Sequence, residues 1–143
     1  TRTRTILVAS FLLGAIVLVV TALSTLSVTL LVKPDRESYR VGSSVHVELF
    51  LTYGPNFVKG PVTIPSISYE VIVSGAGGPV LGMLRYVETR EPTRIFPNTI
   101  QKIGEFDWDL KDISGNDVAP GTYKIMVRML DYPLSAETRI QVY

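Results

Sequence analysis

No charged residue interrupts the 28 positions from Thr5 to Val32, which are built mainly from Leu, Val, Ile and Ala. A bilayer's hydrocarbon core needs about 20 apolar residues in helical form, and Ile6 to Ser24 supplies a continuous stretch of that kind. The pattern predicts an N-terminal hydrophobic helix over residues 1–24, transmembrane or packed in a filament core, with continuation to residue 32 left open. After Val32 the period changes. Val45, Val47, Leu49 and Leu51 alternate with His46, Glu48 and Phe50, the period of a half-buried strand. Ile67, Tyr69, Val71 and Val73 alternate in the same way, as do Tyr123, Ile125, Val127 and Met129, and the chain ends on Ile140 and Val142. Val80 to Val87 and Thr99 to Trp108 are further strand candidates. Gly, Pro, Asn and Asp clusters separate these runs, and no helical period appears after Val32. Seven to eight short strands in this arrangement predict a mainly β fold, an Ig-like antiparallel sandwich over residues 25–143.

The junction from Ser24 to Val32 fits two periods. As a strand, Leu26, Val28 and Leu30 oppose Ser27 and Thr29; as a helix, Thr21, Thr25 and Thr29 form an i, i+4 stripe. A helix reaching Val32 would span roughly 42 Å at 1.5 Å per residue. Lys33-Pro34 ends it in either case, because the residue before proline disfavours helix. Small and hydroxylated residues on the helix, Gly14, Ala15, Thr21, Thr25 and Thr29, are the candidate helix-packing positions.

Arg2 and Arg4 precede the apolar run, and the bias of basic residues toward the cytoplasmic side puts the following domain outside. A cleaved secretory signal is the alternative, given the basic start, the apolar centre and the small residues around Ala22-Leu23-Ser24. Apolar character that continues past that site favours a retained helix. Residues 25–143 are enough for one domain with its own core. Arg2 and Arg4 account for two of the 14 basic residues, so the rest of the chain sets 12 Lys and Arg against 13 Asp and Glu. No basic block stands out, which excludes nucleic acid as a partner class. The chain has no cysteine, so disulfides, thiolate metal sites and thiol nucleophiles are absent and stability rests on packing.

Candidate chemistry is sparse. The single histidine, His46, lies at a solvent-facing strand position beside Glu48, and one His without Cys does not make the usual zinc sets. Gly75, Gly77 and Gly78 lack the Lys and Ser/Thr of a phosphate loop and read as a hairpin turn. Asp107, Asp109, Asp112, Asn116 and Asp117 gather hard oxygen ligands around one turn and form a weak calcium candidate. Lys111 takes an expected ligand place, however, and the sixth position lacks glycine. The loop Gly54 to Pro65 is stiffened by proline and carries Phe57, Val58 and Lys59, a candidate partner-contact site. No catalytic residue set and no cofactor-binding motif emerges, and no small-molecule substrate is evident.

An N-terminal apolar helix joined without a linker to a β-sandwich resembles the layout of archaeal type IV pilins, archaellins and archaellum accessory proteins. That resemblance implies membrane anchorage through the helix and, in filament formers, packing of the helix into the filament core. The chain departs from it in lacking an acidic residue near the start of the apolar run and in carrying Arg2 and Arg4, which are costly in a filament core. Phe106 to Val127 is similar, in its Trp, Gly, Pro-Gly and Tyr spacing, to Ig-like hairpins of the flagellar hook-capping scaffold protein and of BsuPI-type inhibitor domains. Tyr39-Arg40-Val41-Gly42 resembles the strand entries of many Ig-like surface domains. The expectation is a non-enzymatic structural or assembly subunit of a cell-surface filament, at the cell membrane or in the filament itself. The alternative is a membrane-anchored interaction subunit of another envelope complex. Its partners are copies of itself or other envelope subunits.

Overall fold

A computed structural model describes residues 28–54 and 60–143, without the side chains of 81–83. Ten strands occur among these residues: β1 Val28–Pro34, β2 Ser38–Tyr39, β3 Val45–Tyr53, β4 Val62–Ile64, β5 Ile67–Gly75, β6 Gly78–Thr89, β7 Thr93–Ile95, β8 Ile100–Trp108, β9 Gly121–Met129 and β10 Ser135–Val142. They form a three-stranded sheet in the order β1-β3-β8, a five-stranded sheet in the order β2-β10-β9-β5-β6, and a β4-β7 ribbon. All pairings are antiparallel except β2 with β10.

The alternating apolar positions explain how the two larger sheets face each other. Val45, Val47, Leu49, Leu51 and Tyr53 of β3 are buried while the residues between them are half-buried, so β3 turns one side inward. From the opposite sheet, Tyr69, Val71 and Val73 of β5 and Tyr123, Ile125 and Val127 of β9 enter the same core. Ile64 and Ile95, one from each ribbon strand, close it at 0% exposure. Aromatic contacts cross the layer: Trp108 meets Tyr123 edge-on at 5.7 Å between ring centres, and Tyr86 stacks on Phe106 at 5.7 Å. The connection into β9 is tied by two bonds. The Trp108 indole N–H donates to the Lys111 carbonyl at 2.9 Å, and the Tyr123 hydroxyl donates to the Ala119 carbonyl four residues upstream.

Two expectations are corrected. The fold class of a hydrophobic helix followed by a seven- to eight-stranded sandwich gives way to a mainly β structure of ten strands. No helix occurs among the described residues, and none there is long and apolar enough to cross a membrane. The expected helix over 1–24 lies outside the described residues, as do Gly14, Ala15, Thr21 and Thr25. Its continuation to Val32 is overturned, because β1 pairs residue by residue with β3 from Val28–Tyr53 to Pro34–Val47. The physical reason is that β3 offers a ladder of partners together with a core face. Period two then buries Val28 and Leu30 and leaves Thr29 and Leu31 outside. Thr29 therefore faces solvent opposite Thr52 and belongs to no helical stripe. The described residues show no transmembrane helix and nothing that supports a pilin-like or filament role, and those readings are not carried further.

Candidate functional site

The densest polar cluster lies on the outer face of β3 and β8. Register places His46 opposite Asp107 and Glu48 opposite Glu105. The His46 ring Nδ1 is 2.8 Å from Asp107 Oδ1, and Nε2 is 3.6 Å from Glu105 Oε2. The Lys102 ammonium donates to Glu48 at 2.8 Å and to Glu105 at 2.5 Å. A bulge between Leu49 and Phe50 makes this reach possible, since Leu49 pairs with Gly104 and Phe50 with Lys102. The bonds to Glu105 and Glu48 push the Lys102 ammonium up to about 12. The bond from Lys102 holds the Glu48 carboxyl below its usual range.

His46, Glu48 and Glu105 are the one set of three metal-capable side chains, among the described residues, whose ligand atoms lie within 4.8 Å of one another. Lys102 already supplies the cation between the two glutamates, so the cluster is satisfied internally. Of the sequence-predicted calcium residues, Asp107, Asp109 and Asp112 border one groove, but among the described residues these carboxylates form no set with ligand atoms within 4.8 Å of one another. Asp112 Oδ1 accepts the Ser114 and Asn116 amides at 2.9 Å each and so caps its own turn. Asp117 pairs with Lys111 at 2.8 Å, and Asp107 is taken by His46. Gly115 supplies the left-handed residue of that turn at φ 82°. Asp109 is exposed. Phe57, Val58 and Lys59 lie outside the described residues. Gly75 and Gly78 pair across the β5–β6 hairpin, with Gly78 at φ 106°.

His46 gives a direct titration test. The hydrogen bond to Asp107, aided by the charges of Asp107, Glu105 and Glu48, raises its pKa above the ordinary histidine value. A raised folded-state value means that the stabilisation is fully present below the unfolded pKa of about 6.5 and is lost as pH rises through the folded value. An NMR titration is expected to place the His46 midpoint above about 6.5, and Asp107→Asn should lower it. An unchanged midpoint in Asp107→Asn would show that the pair does not form in solution.

A second constellation, which the sequence pattern hid, sits on the outer face of the five-stranded sheet. Glu70 is 0% exposed although it occupies a polar, outward position of β5. Register sets Arg85 of β6 on one side and Arg128 of β9 on the other. Arg128 touches Oε1 and Arg85 Nε lies 3.8 Å from Oε2, yet neither oxygen receives a well-aligned hydrogen bond. Two half-exposed guanidinium groups thus cover one carboxylate and hold it by charge. Lys124, 3.6 Å from Glu137, and Arg139 extend the same basic face.

The fold and its clusters define a β-sandwich module whose polar groups are largely paired with one another. No protein-family model and no curated protein matches the chain. Three solved structures share its general shape. The sporulation control protein Spo0M of Bacillus subtilis is similar at 13% identity and a TM-score of 0.49, over 81% of this chain and 49% of that one. The alkylpurine DNA glycosylase AlkC of Pseudomonas fluorescens, bound to abasic-site DNA, is similar at 11% identity and 0.47, over 80% and 30%. A β-glucosidase of Listeria innocua is similar at 13% identity and 0.44, over 81% and 16%. The chain spans about half the length of the first and less of the others, and likeness at this level carries no activity, substrate or partner across.

Proposed function

We propose that this chain is a non-enzymatic interaction subunit of a cell-envelope assembly, with its β-sandwich outside the cytoplasmic membrane and in contact with other protein. The observation that carries the reading is the exposure of large apolar side chains on a well-packed sandwich. Val87 is 57% exposed, Ile100 72% and Ile113 78%. Apolar groups gathered within a polar rim mark surfaces that meet other proteins, and Ile113 lies with Leu84 in one groove beside Asp107, Asp109 and Asp112. The polar clusters support the same reading, because His46, Lys102, Lys111 and Asp112 spend their bonding capacity on neighbours in the sandwich.

Localisation rests on the sequence. Arg2 and Arg4 precede a 28-position uncharged run that ends inside β1, with no Gly- or Ser-rich linker between. The sandwich is thereby held close to whatever receives the apolar stretch. The chain's lack of cysteine makes the side of the membrane directly measurable. A single Ser114→Cys substitution in the exposed turn should react with a membrane-impermeant maleimide added to intact cells. Labelling only after lysis would contradict an external sandwich.

A further inference from the structure

We propose that the sandwich associates with a second copy of itself, the acidic groove at the β8 end of one copy receiving the basic outer face of the five-stranded sheet of the other. This deepens the interaction-subunit reading by naming a partner, and it rests on charge and apolar complementarity between two patches of the same chain. The acidic patch runs along the outer face of β3 and β8 into the turn that follows. It sets Glu48, Glu105, Asp107, Asp109, Asp112 and Asp117 against Lys102, Lys111 and Lys33, which pairs opposite Glu48 from β1, a balance of minus three with His46 neutral. Asp107, Asp109 and Asp112 line one shallow groove together with Leu84 and Ile113. Leu84 is 40% exposed and Ile113 78%, so an apolar strip lies inside the acidic rim.

The opposite patch has the matching composition. The six strand residues Arg85, Lys124, Arg128, Arg139, Glu70 and Glu137 carry plus two, and Asp131, which accepts from Ser68 beside Val87, lowers the face to plus one. Register puts all six on the outward side of adjacent strands β6, β5, β9 and β10. Fully buried Glu70 fixes the two arginines at the centre of that face, which lowers the ordering cost of using their remaining N–H donors on a partner. Val87, 57% exposed, and Leu130, 39% exposed, supply apolar contact beside them. The acidic residues beside Leu84 and Ile113 in one copy thus meet Arg85 and Arg128, which adjoin Val87 and Leu130, and the Lys124–Arg139 end of the same face in the next. Arg is enriched and Lys depleted at the centres of protein interfaces, as on this face.

The test uses the full chain in detergent, with sedimentation velocity as the readout. Wild-type protein is expected to self-associate with concentration at low salt, and the association should weaken by about tenfold or more between 50 and 500 mM NaCl, as contacts steered by charge do. The double variant Lys124→Glu/Arg139→Glu makes the basic face acidic without touching Glu70, and Asp107→Lys/Asp109→Lys makes the acidic groove basic. Each is expected to be monomeric alone, with an unchanged circular dichroism spectrum, and an equimolar mixture of the two is expected to recover the association. Association that survives both reversals and high salt arises elsewhere, for example in the apolar run, and overturns the proposal. Failure of the mixture to associate also overturns it. A wild-type chain that stays monomeric at low salt refutes the second copy as partner while leaving an external sandwich, tested by maleimide labelling, untouched.

Discussion

Leu49→Ala should lower the stability of the sandwich by roughly 2–5 kcal/mol. Leu49 is 0% exposed on the inner side of β3, the central strand of its sheet, flanked by β1 and β8. Removing its side chain takes apolar surface out of the core and leaves a cavity between two sheets whose strands are held in register on both sides. The melting temperature is expected to fall by roughly 10 °C or more for a body of this size. Leu31→Ala is the matched control. It sits on the outward side of β1, 42% exposed, and should change stability by no more than about 0.5 kcal/mol. Equal losses at both positions would mean that β1 is paired one residue out of the described register, since a single slip exchanges its faces.

Arg128→Ala should be the second large effect, with a loss of about 2 kcal/mol. A fully buried pair that loses one partner costs roughly 3–5 kcal/mol. The lower figure follows because the Arg128 side chain is 59% exposed, so truncating it also lets water reach Glu70. The informative measurement is a double-mutant cycle with Glu70→Leu. A leucine at that position removes the buried charge, and Arg128→Ala in the Glu70→Leu background should then cost much less than in the wild type. If the cost is the same in both backgrounds, Arg128 acts through packing of its methylene stem, and the carboxylate does not hold it.

The sequence made some of this visible and concealed the rest for identifiable reasons. Alternation at Val45, Val47, Leu49 and Leu51 was readable because β3 buries one face completely and leaves the other half-exposed, which is the condition under which period two survives in sequence. The stretch at Val28 to Val32 was ambiguous because Val28, Leu30 and Val32 satisfy a strand while the threonines satisfy a helical stripe. The choice was made by β3, a partner more than ten residues away, and local spacing holds no record of it. Glu70 illustrates a different concealment. It stands at the polar position of an alternating strand and reads as solvent-facing. It is buried because register brings an arginine to each side, from strands about 15 and 58 residues further on.

The acidic residues show the same limit. Grouping by nearness along the chain joined Asp107, Asp109, Asp112, Asn116 and Asp117, whereas the fold gives Asp107, Asp117 and Asp112 separate bonds, in a cross-strand pair, a lysine bridge and a turn cap. The set that does converge, His46, Glu48 and Glu105, draws on two strands whose pairing joins residues 61 apart. A polar alternation beside a second polar alternation was the only sequence signal for it, and it became specific only with the β3–β8 register.

Contact between the sandwich and other protein at the cell envelope can be measured by chemical cross-linking in intact cells with a membrane-impermeant lysine-reactive reagent, followed by mass spectrometry. Cross-links from Lys124 or Lys102 to an envelope protein or to a second copy of the chain are expected. A chain recovered only in the cytosolic fraction, with no cross-link from either lysine, would contradict that contact.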